Sequence, residues 1–296
     1  MLDLAGLGGD PDQWLTLWWA ARQLDGAALV ITGQERPYRT RAQTARHIIR
    51  DVGRIGVVLV AGAPAPKGTP SRWIPTGVGH GQETELPVST TAWRKFAQIL
   101  PDYGRRVHWV CAGPLTNLAR VLDADESASA GLGLASRCAL TLVCERDRAD
   151  PYLGVDPGAA RSVLRRVRDV TVVDPSTLPE EICLTDTSVV GHRLSESELP
   201  GTPELRGHVR RWRELEGPDA PLRLATPAAL AAAIGLGTTH SRIAVRVDEA
   251  GRLVSDPGGR SARLARVEVG ALLGTLATAL TPDPAPEYAS FERRKP

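Results

Sequence analysis

Asp10-Pro11-Asp12-Gln13 follows a glycine-rich turn, Gly6 to Gly9, and leads into a helical apolar stripe of Trp14, Leu15, Trp18 and Trp19. A carboxylate at that junction can take a proton from water, which makes Asp12 a candidate general base. The same residue has an equally good local role, as N-cap of a helix beginning at Gln13. His80, between Gly79 and Gly81, sits in a loop whose glycines allow a ligand to approach closely; the competing reading is a solvent-exposed histidine. Tyr152 offers a ring that can stack on a base or sugar, or fill a half-buried site. Gly6-x-Gly8-Gly9 lacks the spacing of a phosphate-binding loop. His47, His108, His192, His208 and His240 have no partners at metal-ligand spacing, and Cys111, Cys138, Cys144 and Cys183 show no C-x-x-C pattern.

The elements that must hold these residues alternate along the chain. Apolar runs at Leu2 to Ala5, Ala27 to Ile31, Val57 to Ala61, Val107 to Ala112, Ala139 to Val143 and Val170 to Val173 read as strands. Helical patterns at Asp12 to Arg22, Thr40 to Val52, Glu204 to Glu214 and Pro227 to Leu236 separate or follow them. Strands alternating with helices imply right-handed crossovers and an α/β fold, an open, mostly parallel sheet flanked by helices. Ile243 to Val247 and Leu264 to Val269 read as a terminal strand pair. The expectation is one domain over 1–280 and a flexible tail over 281–296.

Composition limits the classes of function. The chain has 296 residues, 42% hydrophobic, with a net charge of +2, which gives no pull toward nucleic acid or membrane. Its four cysteines are expected to be reduced, most of them in apolar contexts, and no leader or membrane-length apolar run is evident. A cytoplasmic protein is the expectation.

Gly113-Pro114-Leu115-Thr116-Asn117-Leu118-Ala119 ends the Val107 to Ala112 run, with Thr116 or Asn117 placed to cap a helix starting at Leu118. This heptapeptide resembles a signature of the inosine-uridine-preferring nucleoside hydrolases. Ile31-Thr32-Gly33-Gln34, Val57 to Gly62 with Pro64, His80-Gly81 and Asp156-Pro157-Gly158-Ala159-Ala160 resemble further family segments in the same order. The resemblance implies cleavage of the N-glycosidic bond of a nucleoside-like small molecule through an oxocarbenium-like transition state. It implies a calcium ion held by N-terminal aspartates, the Thr116 carbonyl and a late aspartate, and it implies a homo-oligomer. Gln34, His80, Asp150 and Tyr152 fall on substrate-facing positions.

This chain departs from the family at the metal. In the ungapped register the first two aspartate positions fall on Gly6 and Gly8, Asp12 retains the third, and Gln13 takes the fourth. Ala225-Thr226-Pro227 stands where the family has His-Asp-Pro, so Thr226 replaces a carboxylate. Tyr152 replaces a small amide. Removing that much charge takes calcium affinity above ~1 mM in Kd. Gln13, Thr116 and Thr226 are therefore degenerate metal positions, with no cofactor expected unless a rearranged N-terminal loop brings in Asp3 or Asp10. Two functions follow: a divergent N-ribosyl hydrolase or nucleoside binder using Asp12, and a non-catalytic pseudoenzyme acting as regulator or scaffold.

Overall fold

The computed structural model describes residues 1–5, 7, 9–24, 29–32, 38–53, 57–63, 106–129, 131–218 and 220–282. The first half runs β1 (Leu2–Leu4), α1 (Pro11–Gln23), β2 (Leu29–Thr32), α2 (Tyr38–Asp51), β3 (Val58–Ala61), β4 (Val107–Ala112), α3 (Thr116–Ser127), α4 (Leu134–Arg137) and β5 (Cys138–Val143). It continues through α5 (Pro157–Arg166), β6 (Asp169–Val173), β7 (Cys183–Leu184), α6 (Val189–Glu196), α7 (Thr202–Glu216), β8 (Leu222–Arg223) and α8 (Ala225–Ile234). The chain then adds β9 (Thr238–Val247), β10 (Leu253–Ser255), β11 (Arg260–Val267) and α9 (Val269–Ala279).

The main sheet has the order β10-β9-β11-β6-β5-β4-β1-β2-β3. From β11 to β3 every neighbour is parallel, giving seven co-directional strands, and β9 joins antiparallel to both β10 and β11. β1 lies between β2 and β4, with Asp3 opposite Ile31 on one side and Cys111 on the other. β7 and β8 form a separate antiparallel pair.

Period-two alternation explains why helices cover both faces. Val107, Trp109 and Cys111 of β4 join a layer with Leu118, Val121 and Leu122 of α3 and Val163 of α5. Val110 and Ala112 join the opposite layer, with Trp14 and Trp18 of α1, Ala228 of α8 and Leu272 of α9. Trp14, Trp18 and Trp19 are fully buried core residues, as their helical spacing implies. Trp18 also donates its indole N–H to the Pro200 carbonyl at 2.9 Å. The four cysteines are free and buried, and burial pushes the Cys111 and Cys144 thiols far up.

At the carboxyl edge β1 and β4 come very close. A Cβ built on Gly113 would lie 2.5 Å from the Ala5 Cβ, so only glycine fits there. Ala5 N–H donates to the Ala112 carbonyl at this same crossing.

Several boundaries differ from the sequence reading. The terminal strand pair is three strands: β9 and β10 form a hairpin, and β11 lies between β9 and β6. β11 ends at Val267, and Val269 opens α9 instead of closing the strand. α6 falls in a segment the sequence left without a helix.

Candidate functional site

Strands β1, β4, β5 and β6 all point their carboxyl ends toward the first turns of α1 and α3, the side on which open α/β sheets bind ligands. α1 starts two residues before Gln13, where the sequence reading began it. Pro11 takes the first helical position, where its missing N–H costs nothing, and Asp10 is the N-cap. Asp12 is therefore inside the helix, and the N-cap reading of that residue is corrected. Asp10 makes no capping bond with its side chain; its Oδ2 instead accepts from the Tyr152 hydroxyl at 2.8 Å and from Gln13 Nε2 at 3.4 Å. Gln13 Nε2 also donates to the Ala112 carbonyl at 3.2 Å.

Asp12 is 7% exposed, and its Oδ2 accepts the Thr226 backbone N–H at 3.0 Å. Burial pushes its carboxyl up to about 7, the neighbouring Asp10 carboxylate pushes in the same direction, and bonds from Thr226 and Gln13 oppose both. The structure thus brings Asp12 and Thr226 into direct contact. Where the resemblance expects a second carboxylate, the chain presents a donor.

The Gly113 to Ala119 turn also reads differently in three dimensions. α3 begins at Thr116 with Leu115 as N-cap, and neither Thr116 nor Asn117 caps the helix with its side chain. The Thr116 hydroxyl donates to Asp156 Oδ2 at 2.6 Å. Asn117 links β1 to the segment after β3: Nδ2 donates to Asp3 Oδ1 at 2.9 Å and Oδ1 accepts from the Ala63 N–H at 2.9 Å. Asp3, buried in β1, has its carboxyl raised to about 7 by burial, against bonds from Asn117 and Trp109. The sequence assigned no bridging role to Asn117; its place beside Thr116, directly after a buried strand, was the available signal.

Asp150 is used locally. Its Oδ1 accepts the N–H groups of Tyr152 and Leu153 at 2.8 Å each, and Oδ2 accepts from the Glu145 N–H at 3.3 Å. Burial raises its pKa against those three donors. Tyr152 lies beside it and reaches across to Asp10, so Asp150, Tyr152, Asp10 and Gln13 form one connected set. Gln34 and His80 lie outside the described residues, as do Gly6 and Gly8.

The donor chemistry does not fit a resident calcium ion. Gln13 and Thr226 contribute no charge, and Asp10 and Asp12 are each engaged by donors. Among the described residues, the three-member group of histidine and carboxylate ligands within metal-binding reach is instead His47, Asp51 and Glu204, whose ligand atoms lie within 4.8 Å of one another. There His47 Nε2 already meets Asp51 Oδ2 at 2.8 Å, and Nδ1 meets Arg50 at 2.9 Å. No helix among the described residues is long and apolar enough to cross a membrane.

No protein-family model matches the chain, and no curated protein matches it by sequence. Solved structures do match. A plant nucleoside hydrolase superposes with a TM-score of 0.74 at 17% identity, over 95% of this chain and 99% of that one. The inosine-uridine preferring nucleoside hydrolase of Bacillus anthracis gives 0.70 at 15% identity, over 94% and 97%. The purine-preferring ribonucleoside hydrolase from Gardnerella vaginalis gives 0.70 at 16% identity, over 95% and 98%. With the parallel sheet, its antiparallel extension and full-length coverage agreeing, the chain has the nucleoside hydrolase fold.

Proposed function

We propose that this protein binds a nucleoside-type small molecule at the carboxyl edge of its sheet and does not carry out calcium-dependent hydrolysis. The supporting observation is the neutral side chain of Thr226 against Asp12, bonded to it where the resemblance would place a second carboxylate. The structural neighbours act on nucleosides, and the fold places Asp10, Asp12 and Tyr152 together at that edge. Isothermal titration with inosine and with uridine, each with and without chelator, tests the proposal. Saturable binding indifferent to chelator is the expected result. Chelator-sensitive release of p-nitrophenol from p-nitrophenyl riboside would overturn it.

A second reading has its own observation. Asp12 is raised to about 7, which poises it as a general base near neutral pH. Metal-independent hydrolysis of the N-glycosidic bond would then require the ionised form of Asp12 to draw a proton from the attacking water. The pH–rate profile of riboside hydrolysis would rise with a midpoint near 7, and Asp12→Asn would abolish turnover while the fold persisted. A flat or absent rate removes this reading and leaves the binding proposal intact.

A further inference from the structure

The opposite, amino edge of the sheet carries an unused constellation of positive charge. A cavity of about 510 Å³ lies across the starts of β6 and β11 and the middle of β9. Arg168, Arg242 and Arg263 border it, together with Ser241, Ser261 and His240. Asp169 is the carboxylate among its lining residues, and it is already shared between Arg263 and Arg106. Arg242 Nε donates to Ser261 Oγ at 2.9 Å and Arg263 Nε to Thr171 Oγ1 at 3.2 Å, so these side chains occupy one face of the sheet. Farther along the strands that face is covered: Val173, Ala265 and Val267 pack in the core with α8. At the amino ends the cover stops, and Arg168, His240, Ser241, Arg242, Ser261 and Arg263 are exposed.

Three arginines thus border the cleft against one carboxylate, Asp169, which Arg263 and Arg106 already pair. The histidines register the same excess: His240 and His108 are lowered first by burial, then by Arg263 and Arg106 respectively. Planar guanidinium forks match the oxygens of a tetrahedral dianion, and the hydroxyl of Ser261, on the same face as Arg242 and Arg263, adds a neutral donor. A volume of about 510 Å³ lies within the range of small organic-ligand sites, far larger than a single oxyanion needs.

We propose that this cleft is a second binding site, for a phosphate dianion, either free or carried on a small organic ester. It is independent of the nucleoside reading, since it shares no residue with the carboxyl edge.

The test is calorimetric titration of the full chain with inorganic phosphate and with phenyl phosphate, phenol serving as the uncharged control. Saturable binding of at least one phosphate probe, with Kd below ~1 mM and no binding of phenol, is the expected result. Preference for phenyl phosphate identifies an ester as the source, and equal binding identifies the free ion. Affinity should fall as salt rises, because the cavity is open to solvent. The double variant Arg168→Ala/Arg242→Ala leaves both ion pairs of Asp169 in place and should weaken binding at least about tenfold. The single exposed reversal Arg168→Glu provides the same reading should the double variant fold poorly. No binding below ~10 mM, or a folded variant that binds as the wild type does, overturns the proposal. So does retention of a single-stranded 12-mer DNA when neither phosphate probe binds, which would make the patch a polyanion surface.

Discussion

Thr226 donates its backbone N–H to Asp12 Oδ2 across 3.0 Å, tying the first turn of α8 to the first turn of α1 over a separation of 214 residues. Both partners are almost wholly buried. The bond makes Asp12 a structural acceptor, and it opposes the upward push that burial exerts on the carboxyl.

The first prediction concerns the pH dependence of that carboxylate. Its folded value is about 7 against an ordinary 3.8, so its contribution to stability is full below the unfolded value and is lost as pH rises through 7. Asp12→Asn keeps an oxygen for Thr226 and removes the titration. Urea denaturation should find the variant equal to the wild type near pH 4 and more stable at pH 8, by up to about 4 kcal/mol. A variant less stable at pH 8 than at pH 4, relative to wild type, would sink this account.

His208 should act in the opposite sense. It is fully buried against Trp14, with ring centroids 5.2 Å apart, and neither ring nitrogen has a partner among the described residues. Burial, then Arg211, lowers it to about 3, so its contribution is complete above 6.5 and drains away as pH falls toward 3. His208→Phe should raise the melting temperature at pH 5 and remove the acid-limb loss of stability, worth up to about 4 kcal/mol. Thermal melts between pH 4 and 8 for both variants separate the two opposing titrations.

Asp150 is expected to matter for folding more than for ligand. Asp150→Ala strips acceptors from the N–H groups of Glu145, Tyr152 and Leu153, at a cost of about 2–3 kcal/mol. Asp150→Asn restores the two bonds on one oxygen and should recover most of that loss. Equal destabilisation by the two substitutions would count against the turn-holding role.

Tyr152→Phe separates ring from hydroxyl. Loss of the bond to Asp10 should cost about 1 kcal/mol of stability. If the ring stacks on a base as proposed, nucleoside affinity measured by titration should change less for Tyr152→Phe than for Tyr152→Ala.

The core strands were legible because burial on two faces writes itself as an apolar run: Val107 to Ala112, Ala139 to Val143 and Val170 to Val173 match β4, β5 and β6. The head of α5 carried a signal that went unused, an aspartate ahead of a proline: Asp156 caps it by accepting the Ala159 N–H at 3.0 Å. β9 was cut short in the sequence reading because Thr239 to Arg242 are exposed and carry no apolar alternation. α9 was missed because Val269 to Ala279 is apolar nearly throughout and shows no clear period. At the site, residue types pointed to Asp12, Asp150 and Tyr152, but not to what they touch. Tyr152 meets Asp10 across 142 positions and Asn117 meets Asp3 across 114. No local window contains such pairs.

The crossing of Gly113 over Ala5 bears on how a motif is to be interpreted. With 2.5 Å between Ala5 Cβ and any side chain begun at Gly113, the glycine is required by the backbone whether or not a ligand ever binds beyond it. A lineage could exchange every charged ligand for a neutral one and still be held to this turn by steric exclusion alone. The glycine at the head of the heptapeptide is thus a record of architecture, fixed by the approach of two strands and silent about the chemistry beside it.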